Sequence, residues 1–255
     1  MAIFFLDEMK GMNLGMKVGI FDSGVGGLTV LKTLLKKYPN NEYIYYGDTL
    51  NIPYGNKSIS ELYKLSSKII EFLISNKVDI IVIACGTISS NCIDYLKEKY
   101  KIPIYDIISP VINYLNNSNY QNIGIIATSN TINSHYFKNN LKKNTYEIAS
   151  PKLVPIIESN NLSNLENVLD EYLVLYKNKI DLLVLGCTHY PIIKKYIDKY
   201  FNYKIPILDM SEYISLSNGT NNSLKLYFTK LDDTVINNIK SILVLSNIDI
   251  YKIHE

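Results

Sequence analysis

Short, largely apolar runs of four to six residues recur along this chain and alternate with stretches of helical periodicity. Residues 18–21, 42–46, 80–84, 102–106, 123–127, 146–149, 182–185 and 205–208 are such runs. A strand that is apolar on both faces must be covered on both, the condition met by a parallel sheet between helices. Helical periodicity over 28–37, 58–75, 86–100, 131–140, 165–177 and 192–200 supplies that cover. The class expected is therefore α/β with parallel-rich sheets. Beyond residue 209 the pattern adds a strand near 224–228, a helix near 234–242 and a final strand at 249–253.

Composition narrows the function classes. The 255 residues are 47% hydrophobic with a net charge of +2, which excludes a disordered chain and provides no concentrated excess of Lys and Arg for nucleic acid. No window reaches the roughly 18 apolar residues of a membrane span. The apolar start of the chain runs at once into Asp7 and Glu8, with no basic segment before it, unlike a signal peptide. Cys85, Cys92 and Cys187 cannot all pair, so a reducing cytoplasm is expected, with neither membrane nor nucleic acid as partner. Residues 1–16 read as a leader without fixed structure, with Met1, Met12 and Met16 as candidate starts.

The pattern repeats once. Asp79-Ile80-Ile81-Val82-Ile83-Ala84-Cys85-Gly86-Thr87 is similar to Asp181-Leu182-Leu183-Val184-Leu185-Gly186-Cys187-Thr188-His189, an offset of 102 (187 minus 85). Val18-Gly19-Ile20-Phe21 before Asp22-Ser23 is similar to Ile123-Gly124-Ile125-Ile126 before Ala127-Thr128, an offset of 105 (123 minus 18). Two matches in one order at nearly equal offsets imply two similar halves, each a Rossmann-like three-layer domain. Ligands of parallel sheets sit beyond the carboxyl ends of the strands, where each of these motifs begins.

Cys85 and Cys187 each end an apolar run and precede a predicted helix, a position that favours a thiolate. A single buried cysteine is usually inert, but two in equivalent places among hydroxyls point to one active site. Two thiols with His189 could also ligate zinc, yet there is no Cys-x-x-Cys pair and no evident fourth ligand. Cys92 falls inside a predicted helix and reads as core. The turn Asp22-Ser23-Gly24-Val25-Gly26-Gly27 allows close backbone approach; it is neither a Walker A loop nor a dinucleotide fingerprint. Thr87, Thr128, Thr131 and Thr188 bring hydroxyls to helix starts, where each alone would be an ordinary cap. Asp22 and Asp48 suit an ammonium group, so a small zwitterion fits this inventory. His189 is placed to assist the Cys187 thiol. Glu158, after the apolar segment 153–157, stands out only by the resemblance below.

Gly19-Ile20-Phe21-Asp22-Ser23-Gly24-Val25-Gly26-Gly27-Leu28-Thr29-Val30 resembles the opening signature of bacterial glutamate racemases, within the aspartate/glutamate racemase family. Tyr45-Tyr46-Gly47-Asp48-Thr49 with Pro53-Tyr54-Gly55, Ala84-Cys85-Gly86-Thr87 and Leu185-Gly186-Cys187-Thr188-His189-Tyr190-Pro191 resemble its later motifs. Leu153-Val154-Pro155-Ile156-Ile157-Glu158 resembles the segment that carries a family acidic residue. The resemblance implies interconversion of L- and D-glutamate for peptidoglycan synthesis, without pyridoxal phosphate or metal. It implies opposed thiols: Cys85 acts on D-glutamate with Asp22 in support, and Cys187 on L-glutamate with His189 and Glu158. Ser23, Tyr54, Gly55, Gly86, Thr87, Thr128 and Thr188 would line the substrate. It further implies a pseudo-two-fold pair of domains with the active site in the cleft between them. Residues 17–106 and 210–255 would form the discontinuous first domain and 107–209 the second. A homodimer and regulation by a peptidoglycan precursor are each features of part of that family. One departure stands out: most members carry Asn where this chain has Gly86, leaving an anchoring gap for Ser89 or water to fill. Ser150, where cysteine is frequent, reads as neutral. Alternatives are a cofactor-independent racemase of another amino acid such as aspartate, a cysteine hydrolase on similar domains, and a binding protein that kept the fold.

Overall fold

The computed structural model describes residues 16–244 and 249–253, so the expected leader lies outside the described residues except for Met16, which is buried. Strands β1 (Lys17–Asp22), β2 (Glu42–Gly47), β3 (Ile80–Ile83) and β4 (Ile104–Asp106) join β9 (Ser223–Phe228) and β10 (Asp249–Lys252) in one sheet, ordered β10-β9-β2-β1-β3-β4. Strands β5 (Asn122–Ala127), β6 (Asn144–Ala149), β7 (Leu182–Leu185) and β8 (Ile207–Asp209) form a second, ordered β6-β5-β7-β8. All pairings are parallel. The orders β2-β1-β3-β4 and β6-β5-β7-β8 are the same, so the repeat seen in the residues is a repeat of topology. β9 and β10 extend only the first sheet, with Ser223 opposite Glu42 and Phe228 opposite Gly47.

Burial follows the pleat. Phe21, Ile44, Tyr46, Ile81 and Ile83 face helices α2 (Ile59–Ser75), α3 (Gly86–Asn91) and α4 (Ile93–Lys99) on the outer side of the first sheet. Ile126, Ile148, Leu183 and Leu185 do the same in the second, toward α8 (Leu153–Glu158), α9 (Leu165–Leu173) and α10 (Lys194–Tyr200). The alternate residues, Val18, Ile20, Val82, Ile123, Ile125 and Val184 among them, belong to one core shared by both sheets. Helices α1 (Leu28–Lys37), α5 (Ser109–Asn116), α7 (Tyr136–Asn140) and α11 (Asp233–Leu243) contribute to it.

Two chain crossings join the sheets, each led by an aspartate that ends a fourth strand. Asp106 accepts the Ile108 and Ser109 amides at 2.9 and 2.7 Å, turning the chain into α5. Asp209 accepts the Ser211 amide at 2.9 Å and opens the 3-10 turn Met210–Tyr213. That turn packs on α5, with the Tyr114 and Tyr213 rings 4.5 Å apart.

Several helices differ from expectation. The single helix over 86–100 is divided at Cys92, whose φ of −125° leaves the helical region. The Ser90 hydroxyl and Asn91 amide bond back to the Thr87 carbonyl just before it, side chains competing with the helix for its own backbone. Cys92 is buried, as expected. The helix over 131–140 becomes α6 (Ser129–Asn133), capped by Thr128, and α7, because His135 takes a left-handed φ of 51°. The helical region over 165–177 ends as α9 and a 3-10 turn, and that over 192–200 begins with the 3-10 turn Tyr190–Ile193. Helix α5 was not expected. α2 matches expectation, its start held by the reciprocal pair Ser58 N–H to Glu61 at 2.9 Å and Glu61 N–H to Ser58 Oγ at 3.4 Å.

Phe228 is fully buried in β9 with its ring 5.7 Å from that of Tyr45. Phe228→Ala should cost about 3–5 kcal/mol, from lost transfer energy and the cavity left behind. Denaturant unfolding checks it: a loss below about 1 kcal/mol would mean that β9 is not structurally committed to this sheet.

Candidate active site

The carboxyl ends of β1 and β3 face those of β5 and β7, and a cavity of about 480 Å³, its open mouth included, lies between them. That volume suits a small ligand. Cys85, the residue that caps α3, lies on one wall; Cys187, two residues beyond the end of β7, lies on the other. Both thiols are free. Ser23, Tyr54, Gly55, Gly86, Thr87, Thr128, Thr188 and His189 also line the cavity. These are ten of the residues that the motifs single out, brought from five separate loops to one place.

The other four lie one layer back. Asp22 is fully buried, one carboxylate oxygen accepting the Gly24 and Gly27 amides at 3.2 and 3.0 Å and the other the Thr188 hydroxyl at 3.3 Å. Burial raises its carboxyl above the ordinary range, against the lowering pull of His189 and the two amides. Asp48 does not line the cavity. Its carboxylate accepts the Tyr54 hydroxyl at 2.5 Å, the Thr229 hydroxyl at 2.8 Å and the Asn51 amide at 2.9 Å. An ammonium would have to displace these, so Asp48 holds Tyr54 rather than a ligand. Thr131 is buried behind Thr128, hydroxyl to hydroxyl at 3.0 Å. Glu158 ends α8 and meets His189 Nε2 at 2.5 Å.

His189 is the centre of a chain of contacts. Its Nδ1 stands 3.7 Å from the Cys187 sulfur, while its other nitrogen meets Glu158. Burial opposes the charged imidazolium, but the bonds to Cys187 and Glu158 outweigh it and hold His189 well above its ordinary value. The Val25 amide also reaches Glu158 Oε1 at 3.4 Å, and Asn238 of α11 donates to the Glu158 carbonyl at 3.2 Å. Elements of the first sheet thus steady an acid of the second.

The helix-start argument for the two thiols does not survive. Burial pushes the Cys85 thiol well up, the nearby Asp22 carboxylate pushes it further, and the amide of Ile88 offsets only part. Cys187 is followed by a turn rather than by a helix. The two cysteines are equivalent in topology and different in surroundings: an acid beside one, a histidine beside the other.

Several residues of the site were not anticipated. Ser150 and Val154 line the cavity, and the Ser150 hydroxyl lies 2.7 Å from that of the buried Tyr190. The Tyr45 hydroxyl donates to the Gly24 carbonyl at 2.6 Å, and Thr29 to the Thr188 carbonyl at 3.0 Å. Asn130 donates to the Tyr54 and Lys57 carbonyls at 3.1 and 2.8 Å, tying α6 to the 3-10 turn Tyr54–Asn56 across the cleft. Tyr190 and Thr29 lie within or beside the motifs and could have been read there; Asn130 has no local signal. Among the described residues, no three of His, Cys, Asp and Glu are grouped to hold a metal ion, and no helix is long and apolar enough to cross a membrane.

Known proteins of this build have related sequences. The Asp/Glu/Hydantoin racemase family profile matches residues 27–213. The glutamate racemase of Fusobacterium nucleatum is 42% identical over 202 residues, covering 76% of each chain. That of Aquifex pyrophilus is 39% identical over 240 residues, 89% of this chain and 94% of the relative. The crystal structure of the Francisella tularensis glutamate racemase in complex with D-glutamate superposes with a TM-score of 0.82 at 32% identity, over 95% of this chain and 98% of that one.

The raised His189 value has a consequence for stability. Histidine titrates near 6.5 in an unfolded chain. The favourable pairing with Glu158 is therefore present in full below about pH 6.5 and is lost as pH rises through the higher folded value. The melting-temperature gap between the parent and Glu158→Gln should be widest below about pH 6.5 and narrow as pH rises from there through the folded value of His189. A gap that is constant over that range would mean that His189 is uncharged in the folded protein.

Proposed function

The chain belongs to the Asp/Glu/hydantoin racemase family, and on that premise we propose that it is a glutamate racemase that supplies D-glutamate for peptidoglycan synthesis. The observation that carries this reading is the pair of free, buried thiols on equivalent strand ends of two facing sheets, lining one cavity. Inversion at Cα needs a base on one face and an acid on the other, in either order. Two like groups on two like halves meet that need in both directions.

In this reading Cys187 as thiolate takes the Cα proton of L-glutamate, and Cys85 as thiol delivers a proton to the opposite face. The surroundings support that division. Burial and Asp22 keep the proton on Cys85, which suits a donor. The His189 ring, held by Glu158, stands 3.7 Å from the Cys187 sulfur, in place to pass a proton to or from it. For D-glutamate the roles reverse: Cys85 takes the Cα proton and Cys187 returns one. The negative charge that develops on the α-carboxylate in either direction would be met by hydroxyls of Ser23, Thr87, Thr128 and Thr188, fixed before reaction. Thr87 and Thr128 already lie 2.9 Å apart, oxygen to oxygen, across the cleft. Tyr54, held by Asp48, and Gly55 form part of the cavity wall. We take residues 17–106 with 210–255 as one domain and 107–209 as the other. A cytoplasmic site of action accords with three unpaired cysteines.

The test is an enantiomer-resolved assay in D₂O with a thiol reductant, supplying L-glutamate, D-glutamate and each aspartate separately. Glutamate should interconvert in both directions with solvent deuterium at Cα, and Cys85→Ala or Cys187→Ala should each lower kcat by at least about 10²–10⁴-fold. Turnover of aspartate in place of glutamate would move the reading to another amino acid. Inertness toward both would overturn it.

A further inference from the structure

The turn from β1 into α1 is rich in glycine, a composition that suggests backbone brought close to a ligand. Of that turn, Ser23 lines the cavity, whereas Gly24 and Gly26 lie outside its wall. Neither glycine has a positive φ, so no dihedral angle demands it. What they lie against is the pair of side chains behind Cys187. A Cβ on Gly26 would overlap the His189 ring, falling 2.5 Å from Cε1, 2.7 Å from Cγ and closer still to Nδ1. A Cβ on Gly24 would fall 2.7 Å from Glu158 Oε1, the oxygen that meets His189 Nε2. Between them, the Val25 amide donates to that same oxygen at 3.4 Å. Thr29, in the first turn of α1, donates to the Thr188 carbonyl just before His189.

We propose that residues 24–26 are a positioning segment: two bare glycines of one half fix where the His189–Glu158 pair of the other half stands against Cys187. The inference rests on the racemase reading above. The buried His189 ring is held at both nitrogens, by Glu158 at 2.5 Å and beside the Cys187 sulfur at 3.7 Å. It cannot retreat from residue 26 without changing one of those distances. Carbon atoms in contact sit about 3.5–4.0 Å apart, so a methyl group on residue 26 displaces the ring or the turn by about 1 Å.

Those distances carry the proton. The neutral ring accepts it from Cys187 at Nδ1: the S–H bond breaks, an N–H bond forms, and an imidazolium stands between thiolate and carboxylate. The thiolate then takes the Cα proton of L-glutamate, and the electron pair stays on the substrate until Cys85 delivers a proton to the other face. In the reverse direction Cys85 takes the Cα proton and Cys187 gives one up. Either way, the His189–Glu158 pair acts on the transfer at Cys187 and not on the transfer at Cys85. Displacing the pair therefore raises one of the two barriers, and a shift of about 1 Å costs on the order of a hundredfold in rate.

The experiment compares the parent with Gly26→Ala and Gly24→Ala in the full chain, with glutamate of each hand deuterated at Cα. Both directions cross both barriers, so kcat/KM should fall by the same factor in each, on the order of a hundredfold for Gly26→Ala. The isotope effects should part. That on L-glutamate, whose deuteron goes to Cys187, should rise; that on D-glutamate, whose deuteron goes to Cys85, should fall toward unity. These effects are ratios, so a loss of folded protein lowers the rates and leaves them where they were. Histidine isotopically labelled in its ring gives a reading independent of turnover. The chain has three histidines, and the His189 resonance is the one that His189→Asn removes. Its titration should move down in the variants, toward the ordinary value of about 6.5. Gly24→Ala decides the matter if Gly26→Ala does not accumulate, since its obstacles, Ile52 and Glu158, are the ends of side chains. A His189 titration equal to the parent's, or isotope effects that move the same way for both enantiomers, would overturn the proposal. A parent that does not racemise glutamate would instead overturn the functional reading, and the titration would still decide whether the glycines seat the pair.

Discussion

A parallel sheet has a direction, and the rest of this molecule follows from it. All strands of one sheet end on the same edge, so every loop that leaves a carboxyl end opens toward the same space. Here two sheets of identical strand order turn those edges toward each other. The Asp22 turn, Cys85, Thr128 and Cys187 then converge, although they are spread over 165 residues (187 minus 22). The shared core behind them, with Val18, Ile20, Ile123 and Ile125 in one continuous cluster, prevents either sheet from presenting a different edge.

Within this symmetric frame the electrostatics are not symmetric. Around Cys85 the nearest charge is negative and buried; around Cys187 a carboxylate acts through an imidazole. A reaction run both ways needs its two thiols alike in reach to the substrate, and topology supplies that likeness while the surroundings of the two differ. Asp22 also contacts Thr188 of the other half, so the charge beside one thiol is tied to the loop of its counterpart.

The strands were legible because short apolar runs alternating with helical periodicity favour covered strands, while their order was read only from the structure. The helix interiors were not, because periodicity does not register side chains that bond their own backbone, as Ser90 and Asn91 do before Cys92. The cavity wall was legible from motifs at strand ends. The layer behind it was not: one partner that fixes Asp48 is Thr229, 181 positions away and just past a strand returned by the tail. The state of Cys85 was misread for a related reason. A helix start is visible in a sequence, whereas full burial beside Asp22 is a property of the packed molecule, and burial wins.

The two crossings between the sheets, after Asp106 and after Asp209, run side by side through α5 and the turn at Met210–Tyr213. Two adjacent tethers form a waist, and the line through them is the axis about which the halves can turn without stretching the chain. Such a turn is opposed by the core that both sheets share and by a short row of hydrogen bonds across the cleft, from Thr29, Thr87, Val25, Asn91, Asn130 and Asn238, each worth only about 0.5–1.5 kcal/mol net. The molecule therefore resembles a purse with a sewn hinge and a buttoned rim. Its catalytic surfaces are assembled from opposite leaves, so the site is complete only where the two meet.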